Sequence, residues 1–231
     1  MEANLIALSA KWQDTEAYHK EIHDTFCDNV NKVMPLRAHR DYVESKTWGF
    51  GERSFWWLWK IICDELPKNP YLLEIGVFRG ATLSVWRMLS KDAFIAGITP
   101  LNSNGGYWES NYDADIKTIH DDFGLHQPVI IQAYSNENIA TEWAKDKEWD
   151  LIYLDGSHEY EDILFDLNTY SEMIKVGGYL VIDDCNSEMS MPHGYFQGHQ
   201  QVTDAKLKWL STGPPFEFIC SVKHISLFKR V

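Results

Sequence analysis

Residues 149–186 read W-D-L-I-Y-L-D-G-S-H-E-Y-E-D-I-L-F-D-L-N-T-Y-S-E-M-I-K-V-G-G-Y-L-V-I-D-D-C-N. The apolar run 151–154 predicts a strand, and the apolar residues after it recur at helical spacing for about fifteen residues. The glycine pair in 175–178 is expected to end that helix, because paired glycines supply the positive φ of a helix C-terminus. The run 179–182 predicts a second strand. The order strand, helix, strand indicates a βαβ unit with two parallel strands.

Both of these strands end in acidic residues. Asp155 follows the first strand, Asp183 and Asp184 follow the second, and His158 lies three residues after Asp155. Taken separately, each acid could be an ordinary turn residue or the start of a solvated loop. In open parallel sheets, however, ligands bind outside the carboxyl ends of the strands. The pattern therefore predicts that three carboxylates and an imidazole meet at one edge of the sheet and form the functional site.

Composition restricts the class of protein. The chain has 231 residues and a net charge of −13, which fits one α/β domain with a substantial core. It has no basic block, so we expect neither nucleic acid nor an anionic membrane as a partner. No apolar run approaches the roughly twenty residues that cross a bilayer, and the N-terminus lacks a signal-peptide pattern. Scattered cysteines without metal or redox spacing favour a cytoplasmic protein: Cys27, Cys63, Cys185 and Cys220.

The first part of the chain predicts helices. Residues 12–34 carry apolar residues at helical spacing, and Pro35 is expected to close that helix. The polar, glycine-containing segment 37–51 is expected to be a connection. Residues 52–66 predict an aromatic-rich helix with apolar residues around nearly its whole axis, which is typical of a buried helix or an interface. We therefore expect residues 1–69 to form a helical extension or cap, and the protein to be a homo-oligomer.

A second candidate site follows the strand 71–75. The loop Gly76-Val-Phe-Arg-Gly80 comes next, and a helix is predicted for 81–90. Its glycines could serve only a tight turn from strand to helix. They could also let the backbone approach a ligand whose anionic group faces the N-terminus of the helix. Glu74 at the end of the strand favours the second interpretation, since a carboxylate there can accept hydrogen bonds from a bound cofactor.

The motif Glu74-Ile-Gly76-Val-Phe-Arg-Gly80 resembles the first motif, E/D-x-G-x-x-x-G, of the class I S-adenosylmethionine-dependent methyltransferases. The resemblance covers residues 70–231 and implies a Rossmann-like α/β fold. Its sheet would have seven strands, mostly parallel with one antiparallel strand, and helices on both faces. The order of the other predicted elements agrees: strand 93–98, helix 113–123, strand 128–134, helix 135–145, helix 199–210 and a hairpin of 216–221 and 224–228.

The second half is similar to the metal-dependent O-methyltransferases. These include the macrolide and aminocoumarin sugar O-methyltransferases, the cephalosporin-pathway enzyme and, more distantly, the catechol O-methyltransferases. The resemblance implies that Asp155, Asp183 and Asp184 hold Mg²⁺ or Mn²⁺, and that Asp155 also takes part in catalysis and lies beside the cofactor. His158 occupies the position of the catechol-type base, whereas the chain has Ser157 where the sugar enzymes place an acid. His158 could also cap the helix or bind the metal.

The same resemblance implies a site for S-adenosylmethionine. It is expected to contact Glu74, Gly76, Phe78, Gly80, Thr99, Ser135 and Asp155, with the adenine against Tyr134-Ser135. Thr99 stands where the superfamily usually has an acid for the ribose, so Thr99, a neighbouring asparagine or a different group would bind it. The glycine- and asparagine-rich loop 102–106 is a candidate lid.

The acceptor is expected to be a small molecule. We favour a sugar or glycoside hydroxyl over a catechol, by analogy with the sugar enzymes. Residues 186–201 should arch over the metal, where His193, Tyr195, Gln197 and His199 could contact a polyol. Two other classes remain open: a metal-dependent hydrolytic or hydroxylase-like enzyme, and a non-catalytic binding protein on the same scaffold.

Overall fold

The protein is built around one mixed sheet. The computed structural model describes residues 5–49, 51–101 and 112–231. The strands are β1 (Tyr71–Ile75), β2 (Phe94–Thr99), β3 (Val129–Gln132), β4 (Trp149–Leu154), β5 (Ile174–Ile182), β6 (Phe216–Val222) and β7 (Ile225–Arg230). Their order is β3-β2-β1-β4-β5-β7-β6. β1 to β5 pair in parallel, and β7 runs antiparallel to both of its neighbours. The predicted seven-stranded, Rossmann-like sheet with one reversed strand is confirmed.

Helices cover both faces of the sheet. They are α1 (Leu5–Lys11), α2 (Glu16–Lys32), α3 (Met34–Lys46), α4 (Arg53–Glu65), α5 (Ala81–Leu89), α6 (Tyr112–Asp122), α7 (Asn138–Lys145), α8 (Tyr160–Tyr170) and α9 (Gln200–Leu210), with a short 3-10 helix at Ser171–Met173. Apolar side chains of α1 to α6 are buried against one face of the sheet, and those of α7 to α9 against the other. Strand residues point alternately to these two cores. Among the described residues, no helix is both long and apolar enough to cross a membrane.

The expectations that Pro35 closes a helix and that residues 37–46 belong to a connection were wrong. Pro35 does not close a helix but lies in the first turn of α3, where the missing N–H of proline has no helical partner to lose. The buried face of α3 carries Leu36, His39, Arg40 and Val43 at helical spacing. Two of these four side chains are polar, and this is why the apolar pattern does not reveal the helix.

The glycine pair does not end a helix either. α8 ends at Tyr170, the 3-10 helix follows, and Gly177 and Gly178 lie inside β5. The pairing of β4 with β5 changes register between Trp149 and Leu151, opposite this part of β5, and Gly177 has a φ of +86°. Glycine inside a strand commonly marks such an irregularity, so the pair serves a local distortion of the sheet.

The aromatic helix α4 lies in the core. Its residues Phe55, Trp56 and Trp59 are each no more than 2% exposed. The ring of Trp59 packs edge-on against Tyr153 of β4, with ring centroids 4.9 Å apart. These aromatic side chains are therefore already covered within one chain and no longer argue for a homo-oligomer. The predicted division into residues 1–69 and 70–231 remains a prediction.

Candidate metal and cofactor site

The carboxyl ends of β4 and β5 bring the predicted acids together. Leu154 pairs with Ile182 in the parallel register, so Asp155 and Asp183 follow neighbouring strand ends. Asp183 N donates to Leu154 O over 2.9 Å, and Asp155 N donates to Ile75 O over 2.9 Å. Backbone hydrogen bonds thus hold both acids at the edge of the sheet where the sequence predicted them.

These carboxylates share a poorly solvated space. Burial raises the pKa of Asp155 well above its ordinary value, and the charges of Asp183 and Asp184 raise it further. Burial also raises the pKa of Asp183, although His224 and the Tyr153 hydroxyl oppose this shift. The hydroxyl of Tyr153 donates to Asp183 Oδ2 over 2.5 Å. The surroundings therefore disfavour the ionised forms of Asp155 and Asp183.

Asp184 faces two imidazoles with one of its oxygens. His158 Nε2 lies 3.0 Å and His199 Nε2 3.7 Å from Asp184 Oδ2. The two rings stack with centroids 4.3 Å apart. Burial raises the pKa of Asp184, but the hydrogen bond from His158 and the nearby imidazole charges lower it by more. Conversely, the hydrogen bond to Asp184 raises the pKa of His158.

The other oxygen of Asp184 faces a third imidazole. His224 Nδ1 lies 3.7 Å from Asp184 Oδ1, and His224 Nε2 lies 3.5 Å from Asp183 Oδ1. Within the described residues, two groups of three side chains have potential ligand atoms within 4.8 Å of one another: His158, Asp184 and His199, and Asp183, Asp184 and His224. Asp155 belongs to neither group, although its carboxylate interacts with both acids of the second one.

Sequence reasoning did not recognise His224 as a site residue and gave His199 only a role in acceptor binding. His224 lies in the two-residue turn between β6 and β7. Its neighbour Lys223 has a φ of +53°, a conformation that glycine or asparagine usually supplies in such turns. An unusual turn residue was the available signal, and it does not by itself indicate a site.

Two glycines allow the backbone to pass close to the acids. Gly76 has a φ of +93°, and a Cβ there would lie 2.1 Å from Asp155 O. Gly198 has a φ of +101°, and a Cβ there would lie 2.2 Å from Asp184 O. Gly76 is thus required by the contact between the loop after β1 and the end of β4. Asp184 itself has a φ of +51°, which is uncommon outside glycine.

Glu74 is a buried carboxylate with an unused acceptor. It is 3% exposed, and its Oε2 atom has no hydrogen-bond partner. Burial raises the pKa of Glu74 to about 8, although a hydrogen bond from Thr82 opposes the shift. A buried acceptor without a partner costs free energy, which a bound donor would recover.

The remaining residues predicted to bind the cofactor differ in the protein groups that already contact them. Thr99 is buried, and its hydroxyl donates to Val77 O over 3.0 Å, so the hydroxyl hydrogen already has a partner within the protein. Phe78 packs edge-on against Tyr112, with centroids 4.9 Å apart. The carbonyl oxygen of Ser135 accepts a hydrogen bond from the Tyr170 hydroxyl over 2.6 Å. Gly80 has a φ of +77° and precedes α5. The predicted lid 102–106, with the asparagines considered for the ribose, lies outside the described residues.

Residues 73–185, just under half of the chain, match the family model described as a methyltransferase domain. This match makes residues 73–185 similar to a methyltransferase domain. A curated relative, uncharacterized protein R132 of Acanthamoeba polyphaga mimivirus, is 28% identical over 116 residues, which are 48% of this chain and 50% of the relative. The chain therefore spans about half the length of that relative.

Solved structures share the fold of this chain. A protein described as a caffeoyl-CoA O-methyltransferase from Staphylococcus aureus has a TM-score of 0.61 and 18% identity, covering 88% of this chain and 99% of its own. CalS11, a TDP-rhamnose 3'-O-methyltransferase of calicheamicin biosynthesis, has a TM-score of 0.57 and 14% identity, covering 91% and 93%. MycE of the mycinamycin pathway, solved with Mg and SAH, has a TM-score of 0.57 and 15% identity, covering 84% and 53%. At these identities the likeness shows the fold.

Proposed function

We propose that the protein is a divalent-metal-dependent O-methyltransferase that moves the methyl group of S-adenosylmethionine to a hydroxyl of a sugar or glycoside. The observation that carries the proposal is the meeting of Asp155, Asp183 and Asp184 at adjacent strand ends, with His158 Nε2 3.0 Å from Asp184. The neighbours support it by analogy, because CalS11 is described as acting on TDP-rhamnose and MycE was solved with Mg and SAH.

The donor set fits a divalent cation. Asp155, Asp183 and Asp184 would hold it, since burial and the charges of the other two acids raise the pKa of Asp155 and a bound cation would offset both effects. Carboxylate oxygens suit Mg²⁺ or Mn²⁺. When bound, the cation would supply a positive charge that orients an acceptor oxygen and makes its proton easier to remove.

Glu74 fits the methyl donor. Its unpartnered Oε2 atom can accept a hydrogen bond from the ammonium group or a ribose hydroxyl of S-adenosylmethionine. The loop after β1 leads to α5, whose first residue follows Gly80. We assign Gly76, Phe78, Gly80, Ser135 and the backbone near Thr99 to the cofactor region on the resemblance alone.

His158 is proposed as the general base. The Nε2 atom faces Asp184, so Nδ1 is the nitrogen left to receive the proton of the acceptor hydroxyl. In the reaction, the bond from the acceptor oxygen to the methyl carbon forms as the carbon–sulfur bond breaks. The proton passes to His158, and the sulfonium becomes a neutral thioether. Asp184 would stabilise the imidazolium that results.

The test separates cofactor, metal and acceptor. Calorimetric titration of S-adenosylmethionine into metal-free protein and into protein with Mg²⁺ or Mn²⁺ should give micromolar binding in both conditions. Transfer of labelled methyl to a panel of sugars, nucleotide-linked sugars, glycosides and catechols should then need added metal and should be lost on chelation. Full transfer in exhaustively chelated protein would exclude the metal role, and transfer to catechols alone would exclude the sugar assignment.

A further inference from the structure

His224 is buried next to the acid pair without a hydrogen bond on one of its nitrogens. The residue is 5% exposed, and its Nδ1 atom has no hydrogen-bond partner. Nδ1 lies 3.7 Å from Asp184 Oδ1, and Nε2 lies 3.5 Å from Asp183 Oδ1. A buried imidazole nitrogen without a partner is costly, so its position beside two carboxylates needs an explanation.

These separations are long for hydrogen bonds, and they involve different nitrogens of the ring, of which one could bind an ion. Protein hydrogen bonds from nitrogen to oxygen cluster at about 2.9 to 3.0 Å. Metal–ligand bonds of about 2.1 Å place neighbouring ligand atoms roughly 3.0 to 3.5 Å apart. The ligand atoms of Asp183, Asp184 and His224 lie within 4.8 Å of one another, and all three residues are buried.

The imidazole is held in place by elements on three sides. The side-chain amide of Asn186 donates to Lys223 O and Ile225 O, over 2.7 and 3.0 Å. Cys185 N donates to His224 O over 3.0 Å. The rings of Phe55 and Phe196 pack edge-on against His224, with centroids 4.9 and 5.1 Å away. The hairpin turn is thus fastened to the residues directly after the acid pair, and the ring has little freedom to turn away.

We propose that His224 is a ligand of the cation site formed with Asp183 and Asp184, and that its imidazole gives the site a preference for a first-row transition metal such as Mn²⁺, Fe²⁺ or Co²⁺ over Mg²⁺. Imidazole nitrogen suits these ions, whereas Mg²⁺ strongly favours oxygen ligands. The inference rests on the proposed metal site and specifies the ion that it takes.

His199 provides a matched control for His224. His199 lies 3.7 Å from Asp184 Oδ2, on the opposite oxygen from His224, and its side chain is 42% exposed, whereas that of His224 is 6% exposed. Both residues can be replaced by glutamine, which removes the imidazole and supplies an amide oxygen. Only the change at His224 is expected to alter metal preference.

The experiment measures metal binding directly. Metal-free wild type, His224→Gln, His224→Asn and His199→Gln would be titrated with Co²⁺, followed by its visible absorption, and dialysed against Mn²⁺ and Mg²⁺. Wild type and His199→Gln should bind Mn²⁺ and Co²⁺ at least about tenfold more tightly than Mg²⁺. In the His224 variants the ratio of Mn²⁺ to Mg²⁺ affinity should fall about tenfold or more, with Mg²⁺ binding retained.

The outcomes separate this inference from the proposed function. An unchanged affinity ratio in both His224 variants, or a loss of the preference in His199→Gln instead, would overturn the role of His224 and leave the metal site standing. If folded wild type binds none of the three ions, the proposed metal site itself is overturned. Circular dichroism and S-adenosylmethionine binding establish that each variant is folded, and the asparagine variant provides a second test if the glutamine does not fit.

Discussion

Tyr153 donates its hydroxyl hydrogen to Asp183 Oδ2 over 2.5 Å, from one strand of the central sheet to the end of the next. The tyrosine is 3% exposed and packs against Trp59 of α4. Burial raises the pKa of Asp183, and the hydrogen bond from this hydroxyl opposes part of that shift. The N-terminal helices thereby support the orientation of a candidate metal ligand through one aromatic side chain.

Replacing this tyrosine by phenylalanine should weaken metal binding. Tyr153→Phe keeps the ring against Trp59 but removes the donor to Asp183, so the carboxylate is less well oriented and its pKa rises. We expect the affinity for Mn²⁺ to fall about 10- to 100-fold and the free energy of unfolding to fall by about 1 to 3 kcal/mol. Calorimetric titration and thermal unfolding measure the two effects.

A second tyrosine on the neighbouring strand is the control. Tyr179 is also 3% exposed, but it pairs with Leu151 in the middle of β5 and not with the strand ends that precede the acids. Tyr179→Phe should leave the affinity for Mn²⁺ unchanged. An equal loss in both variants would mean that the effect is a general loosening of the sheet.

The position of the acids was predictable because it follows from the order of strand, helix and strand within one short stretch of the sequence. Apolar runs that end in Asp155 and Asp183 indicate parallel strands, and in a βαβ unit such strands end at the same edge. His224 was not predictable in this way. It reaches the acids from an antiparallel hairpin forty residues later, held by Asn186, and no periodicity in the sequence encodes that contact.

Helix α3 shows a second reason why a structural element could not be predicted from the sequence. Its buried face carries His39, which interacts with Ser84 at 2.9 Å and accepts a hydrogen bond from Trp56 at 2.8 Å. Arg40 lies over the Trp56 ring, 4.5 Å from its centroid. Polar residues on a buried face are tolerated when distant partners satisfy them, and those partners are invisible to a pattern of apolar spacing.

Replacing Glu74 by glutamine should stabilise the ligand-free protein and weaken its binding of S-adenosylmethionine. The folded pKa of Glu74 is about 8 against an ordinary value of 4.5, so the folded state binds its proton more tightly than the unfolded state does. This contribution to stability is fully present below pH 4.5 and is lost as the pH rises through 8. Glutamine does not titrate. The variant's gain in stability over wild type should therefore be about 2 to 4 kcal/mol larger at pH 8 than at pH 5.

The same substitution should weaken S-adenosylmethionine binding about 10- to 100-fold, because a charge-assisted hydrogen bond is lost. Thermal and denaturant unfolding of the ligand-free protein at the two pH values, with calorimetry of the cofactor, checks both effects. A stability difference that does not change with pH would show that Glu74 titrates normally in the folded protein.

Two glycines of one loop allow backbone strain to be separated from a clash. Gly194 and Gly198 both have positive φ, at +83° and +101°, but a Cβ at Gly194 would meet nothing within 4 Å. At Gly198 it would lie 2.2 Å from Asp184 O. Gly194→Ala should cost about 1 kcal/mol from backbone strain alone. Gly198→Ala should cost more and displace Asp184, so metal affinity should fall only in that variant. Denaturant unfolding measures the stability of both variants, and metal titration of the folded proteins measures whether only Gly198→Ala loses metal affinity.

His158→Gln should lower turnover about 100- to 10,000-fold with little change in cofactor affinity, because it removes the proposed base but no proposed cofactor contact. The hydrogen bond to Asp184 raises the pKa of His158, so in metal-free protein its imidazole should titrate above the ordinary histidine value of 6.5. In Asp184→Asn that midpoint should move down, since the anionic partner is gone. Proton NMR of the His158 ring against pH measures both midpoints without relying on activity. A midpoint that stays in place in Asp184→Asn would show that the 3.0 Å pairing does not hold in solution, and the assignment of Nδ1 as the proton acceptor would lose its basis.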